Sequence, residues 1–154
     1  MSPNSELNTL FVITAFVLQG ILLGFFALRK WRFAAAIRFG WIVYALGIPA
    51  MVVSGILMTG GMVWSFWVGG FIYMIWAFFG WWVEYVQCIN WRQPLCLPIC
   101  LGYTFFYLAM LMFYWFPLAL IWKPLWYLFG VLFVLSTWMN ITSHQPKKAT
   151  AAVN

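Results

Sequence analysis

Acidic residues are almost missing from this chain. Of its 154 residues only Glu6 and Glu84 are acidic, and there is no aspartate. Proton pumps and ion-coupled carriers keep ionisable groups deep in the bilayer. Here the deep polar groups are Thr14, Gln19, Tyr44, Ser54, Tyr103, Thr104, Tyr107 and Ser136, which suit interhelical hydrogen bonds better than an ion path. Histidine is equally scarce. The single one, His144, lies beyond the last apolar run. That leaves no membrane-embedded imidazole for a haem or chlorophyll and excludes a b-type cytochrome anchor. Walker, GxSxG and HExxH patterns are also lacking, so the chain is read as not an enzyme, with no catalytic residues and no cofactor.

The three cysteines, Cys88, Cys96 and Cys100, together with His144 match the ligand types of a zinc site. Their spacing matches no ribbon or finger, and "CLPIC" is one residue longer than a redox CxxC. They are read as small apolar residues, with no metal site. "NIT" at Asn140 matches a glycosylation acceptor, but it falls at the expected cytoplasmic end of a span and is discounted.

Charge as a whole is scarce, at 6%, against 66% hydrophobic residues. A soluble domain of this size needs more charge to cover its surface, and the apolar runs are too long for a soluble core. The class is an all-α integral membrane protein. Five spans of about 20 residues each fit the chain: 7–28, 39–59, 64–86, 95–116 and 120–141, with a polar tail over 142–154. They form a single membrane domain over residues 1–154. The region "WFPLALIWKPLW" is the weakest boundary, where four spans compete with five. The start, "MSPNSELN", has no basic segment or cleavage pattern, so the first run is expected to remain as a membrane helix.

The net charge is +6, yet the basic residues sit at the ends of apolar runs. They read as topology determinants in contact with membrane lipids and not as a nucleic-acid surface. With five crossings Arg29, Lys30, Arg32, Arg38, Arg92, Lys147 and Lys148 share one side, and Lys123 lies on the other. By the positive-inside rule the N-terminus is outside and the C-terminus cytoplasmic, which suits a bacterial inner (plasma) membrane.

Small residues mark where helices should approach, because lipid supplies no hydrophobic drive for association. Gly20 and Gly24 form one such pair. Gly47, Ala50, Ser54 and Gly55 surround Pro49 in span two and permit a close, kinked crossing, and Gly69, Gly70 and Gly80 give low points in span three. Span three also carries Trp64, Trp67, Phe71, Met74, Phe78 and Trp81 at helical spacing. This stripe is a candidate wall for a flat lipophilic ligand such as a quinone, a pigment or a lipid, while the plainer and favoured reading is lipid contact plus helix packing.

Glu84, inside "WWVEYVQ", falls near the cytoplasmic edge when counted along span three. A charge at that depth rarely stands alone, so it is expected to pair with Arg38 or Arg92. Gln87, Asn90, Gln93, Asn140, Ser143 and His144 should gather on the same side as a polar cap or docking site.

In size, span number and tryptophan content the chain resembles the tryptophan-rich sensory proteins that bind porphyrins and sterols. The likeness is one of composition. The loop after span one, "RKWRFAAAIR", lacks that family's Trp- and Pro-rich pattern, and no family is assigned. The expected function is an accessory, anchoring or assembly subunit of a larger membrane complex, working with partner subunits or as a homo-oligomer. A binding protein or carrier for a lipophilic molecule is the alternative, and a small homo-oligomeric channel or transporter is a further one.

Overall fold

The computed structural model describes residues 3–89 and 96–143, apart from the side chains of residues 3, 4 and 37. The described chain is helical: α1 (Pro3–Trp31), α2 (Phe33–Ala45), α3 (Gly47–Thr59), α4 (Trp64–Trp81) with a π-helical extension (Trp82–Val86), α5 (Leu97–Trp115), the single turn α6 (Leu118–Ile121) and α7 (Lys123–Ser143). Among the described residues five helical stretches are long and apolar enough to cross a membrane: Ser5–Trp31, Arg38–Thr59, Trp64–Val86, Leu97–Ile121 and Lys123–Ser143.

The second stretch is kinked where α2 gives way to α3. Pro49 has no N–H to offer the Ala45 carbonyl, so the helical ladder loses a rung there. The neighbouring bonds Leu46 N–H to Ile42 O (3.0 Å) and Ala50 N–H to Leu46 O (3.2 Å) carry the chain across as one bent rod. Tyr73 on α4 adds a side-chain donor beside the break, its hydroxyl bonding the Val43 carbonyl at 3.0 Å. α3 ends in a Schellman turn. Gly61 takes φ +75°, and the bonds Met62 N–H to Leu57 O and Gly61 N–H to Met58 O, both 3.1 Å, satisfy the last carbonyls.

The fourth and fifth stretches are separate helices, Leu97–Ile121 and Lys123–Ser143, each long and apolar enough to cross a membrane, so the candidate spans number five and not four. The reversal lies later than the expected break at Pro117. Pro117 holds φ −66° as the residue preceding α6, a value that suits a helix start, so the helical path resumes for a turn. The chain turns back at Trp122, which is extended (φ −164°, ψ 121°), and Pro124 then opens α7. Trp115 and Trp126 latch this hairpin. Their rings stack at 4.8 Å and 13°, and the Trp115 indole N–H donates to the Trp126 carbonyl at 2.8 Å.

α4 packs between α3 and α5, and α1 packs against α7, α2 and α3. The tightest approach is that of α3 to α4. A Cβ on Gly70 would run into Ser54 Oγ and the Ala50 backbone, whose carbonyl carbon would lie at 2.9 Å. Gly80 makes similar room for the Tyr44 ring, and Gly47 for Met74 and Ala77. The small residues of spans two and three therefore do meet. Gly20 and Gly24 do not: a Cβ on either has nothing within 4 Å, and both face outward.

The interior is filled with large side chains. Trp76 is fully buried and is ringed by Tyr103 (5.2 Å between centroids), Tyr73 (5.6 Å), Tyr107 (5.9 Å) and Tyr44 (6.0 Å). Overpacking a core contact of this kind costs about 1–3 kcal/mol. Gly70→Ala is expected to lower thermal stability in detergent by that amount. Gly55→Ala on α3, where a Cβ meets nothing within 4 Å, is expected to be neutral or to gain up to about 1 kcal/mol in helix propensity. Equal melting temperatures for the two variants would show that the α3–α4 approach is not tight.

Candidate functional site

The carboxylate that stood out in the sequence sits on the only π-helical turn among the described residues, Trp82–Val86. The Gln87 N–H bonds the Trp82 carbonyl at 2.9 Å, five residues back, and the Ile89 N–H reaches the Val83 carbonyl at 3.1 Å. Cys88 then takes φ 51° to end the element. π-turns recur at functional sites because the widened turn re-aims the side chains it carries.

Glu84 is half-buried and lies four residues after Gly80, on the same side of the helix. Since Gly80 has no Cβ, the Tyr44 ring edge and hydroxyl occupy the space that one would take. The Tyr44 hydroxyl is then placed to donate to the Glu84 carboxylate. Arg29 completes the group. It is only 9% exposed, with its guanidinium over the Phe25 and Phe26 rings at 4.9 and 5.7 Å. The Phe25 ring beneath it and the Tyr85 hydroxyl converge on Gly40, where a Cβ would meet them at 3.7 and 3.1 Å. Tyr44 and Tyr85 meet edge to face at 6.0 Å. The cluster thus joins α1, α2 and the end of α4 at the end of the bundle that carries Arg29, Lys30 and Arg32, here termed the basic end. A Lys30 Nζ to Thr142 Oγ1 bond of 3.3 Å ties α7 to the same end.

The other expected cap residues are less closely gathered. Arg38 is exposed, with its guanidinium 5.8 Å from the Phe39 ring. Gln87 is exposed in the bend after the π-turn. Asn140 is half-buried near the end of α7, where its carbonyl accepts from Ser143 Oγ at 2.7 Å. Arg92, His144, Asn90 and Gln93 lie outside the described residues. Among the cysteines, Cys88 is exposed and Cys96 and Cys100 are half-buried free thiols.

The aromatic stripe of span three is divided between the surface and the edge of the core, with Trp67 packed against the core. Trp64 and Phe78 are 58% and 56% exposed, and Trp67, Phe71 and Met74 are half-buried. The buried aromatics of α4 are Phe66, Tyr73 and Trp76. Three residues of the stripe, Met74, Phe78 and Trp81, do border an open groove of about 260 Å³ with Trp41, Tyr44, Ala45, Ile48 and Ala77.

A second polar group lies midway along the bundle. Gln19 is 1% exposed. Its Nε2 donates to Ser136 Oγ at 2.6 Å and to the Leu132 carbonyl at 3.1 Å. Tyr107 Oη lies 3.2 Å from Ser136 Oγ, so α1, α5 and α7 share one hydrogen-bonded knot. Gln19 Oε1 and Tyr114 Oη remain unbonded and border the same narrow gap. The knot is closed among its own side chains, which suits helix association more than a continuous polar path.

Arg29 is the member of the cluster that sequence reasoning passed over, because it was counted only as a topology charge. A signal was available. Phe11, Ala15, Leu18, Leu22 and Phe26 form the buried stripe of α1, and Arg29 continues it one turn further.

No family model, curated protein or solved structure matches this chain.

If Tyr44 and Glu84 interact as placed, Tyr44→Phe and Glu84→Gln should not be additive. A double-mutant cycle on thermal or denaturant stability is expected to give a coupling of about 1 kcal/mol. The cycle of Glu84→Gln with exposed Arg38→Gln is expected to give a coupling near zero. Additivity of the Tyr44 and Glu84 changes would remove the cluster as an energetic unit. Separately, Gln19→Leu is expected to cost roughly 0.6–1.7 kcal/mol, the range for interhelical hydrogen bonds in membranes, as measured by the loss of melting temperature.

Proposed function

We propose that this chain is a small non-catalytic integral membrane protein of a bacterial inner membrane. Its N-terminus is outside and its basic end cytoplasmic, and it serves as an accessory, anchoring or assembly subunit that docks other membrane helices along α1. The observation that carries this reading is the outward placement of Gly20 and Gly24. Glycine costs a helix roughly 1 kcal/mol relative to alanine, and nothing inside the chain needs the room these two leave. Small residues four apart let a second helix come close enough for dispersion and Cα–H contacts to hold it in lipid. Ile13, Val17 and Ile21 flank the pair and are exposed as well, giving an apolar rim around the shallow strip. The solid aromatic interior around Trp76 supports the same reading, since a protein built this way works through its surface.

Site-specific photo-crosslinking in cells, at native expression level, tests this. A crosslinker at Ile21 is expected to give discrete protein adducts, to a partner or to a second copy. Gly20→Leu with Gly24→Leu should abolish them while leaving the melting temperature unchanged. A crosslinker at Val52, outward on α3, serves as the comparison. A chain that purifies alone and monodisperse, with no protein adduct from Ile21, would remove the docking role.

A further inference from the structure

The groove between α2 and α4 has a feature that the docking of partner helices does not use. It runs along the outside of the bundle from Trp41 and Trp81 towards Ile48 and Met74, with Tyr44, Ala45, Ala77 and Phe78 completing it. Trp41 to Ile48 spans seven residues, about 10 Å of helix rise, against roughly 15 Å for one leaflet's half of the hydrocarbon. Its lining is almost wholly carbon, and it is open rather than enclosed. The two indoles sit at the end nearer the basic residues, as interfacial tryptophans do.

Arg38 lies three residues before Trp41 on the same helix. Residues 38, 41, 45 and 48 are spaced by three, four and three, so they fall on one stripe of the helical path. Arg38 is therefore the turn beyond Trp41 at the basic end of the groove. It is exposed, and its described ring contact is with neighbouring Phe39 at 5.8 Å. A guanidinium offers paired donors to a phosphate. The basic end also carries Lys30 and Arg32, against the one carboxylate of Glu84 among the described residues there, so its net field favours an anion.

We propose that this groove is a seat for one anionic phospholipid, with an acyl chain lying between Trp41 and Trp81 and the phosphate on Arg38. The charge at the basic end and the apolar trough match the two halves of that molecule and of no neutral lipophile. The seat is built from α2, α3 and α4, and it stands whether or not α1 docks a partner.

The test uses the full chain in mild detergent, with native mass spectrometry after addition of phosphatidylglycerol or of phosphatidylcholine with the same acyl chains. Wild type is expected to retain one phosphatidylglycerol in preference to phosphatidylcholine. Arg38→Gln should reduce that retention about fivefold, the effect of one cation near an anionic lipid. Ala45→Leu, which fills the trough, should reduce it at least as much. Photoactivatable phosphatidylglycerol on the wild-type chain provides a reading that needs no variant, and should label residues 41–48 or 74–81. Equal retention of the two lipids, a preference unchanged by Arg38→Gln, retention unchanged by Ala45→Leu, or label confined to other helices would each overturn the proposal.

Discussion

The architecture depends on how closely two backbones can approach in a medium that does not drive helices together. Lipid is as apolar as leucine, so association must come from dispersion and from hydrogen bonds, both of which fade steeply with distance. At Gly70 the α4 backbone rests on Ala50 and Ser54 of α3, and this contact fixes the rotation of α4 about its own axis. Once Gly70 faces α3, Tyr73, Ala77 and Gly80 also turn inward, while Phe78, Trp81 and Trp82 turn outward. Gly80 then receives the Tyr44 ring, and Glu84, a turn further on, comes within reach of its hydroxyl. The placement of a carboxylate is thus set by glycines up to fourteen residues away.

Hydrogen bonds and charges complete what the steric contact begins, each tying helices that the close crossing does not reach. The Gln19–Ser136–Tyr107 knot holds α1, α5 and α7 midway along the bundle. The Arg29–Tyr44–Glu84 cluster holds α1, α2 and α4 at the basic end. A carboxylate removed from water is costly unless it is paired and hydrogen-bonded. Tyrosine, with a ring that fills space and a hydroxyl that bonds, meets both needs at once. That dual use explains why Tyr44 and Tyr107 stand at the meeting points of several helices.

Much of the fold could be read from the sequence because its signals are physical necessities. Span length follows from bilayer thickness, the kink near Pro49 from a missing N–H, and the meeting of spans two and three from their small residues. The face of α4 could not be read in the same way. Aromatics occupy every side of that helix, so Trp64, Trp67, Phe71, Phe78 and Trp81 are as periodic as Phe66, Tyr73 and Trp76, and hydrophobic periodicity has no contrast to report. The glycines hold the phase instead, since Gly69, Gly70, Ala77 and Gly80 mark the side that others approach. The site at the basic end was only half legible for a related reason. Glu84 was visible as a rare charge, whereas Arg29 looked like one basic residue among several until its position on the buried stripe of α1 distinguished it. The π-turn leaves no composition signal at all, because "WVEYV" is compatible with an α-helix.

The same contrast between engaged and unengaged small residues organises the surface. Gly47, Gly70 and Gly80 are spent on contacts inside the chain. Gly20 and Gly24 lie on α1, which packs against α7, α2 and α3 but not, to any comparable extent, against α4. The aromatic groove lies on the α2–α4 side, where Trp41, Phe78 and Trp81 border an open apolar trough of about 260 Å³. A strip of glycines and a trough between indoles therefore favour different occupants, the first a helix backbone and the second a flexible tail. Because different helices form them, a mutation that closes one leaves the geometry of the other intact.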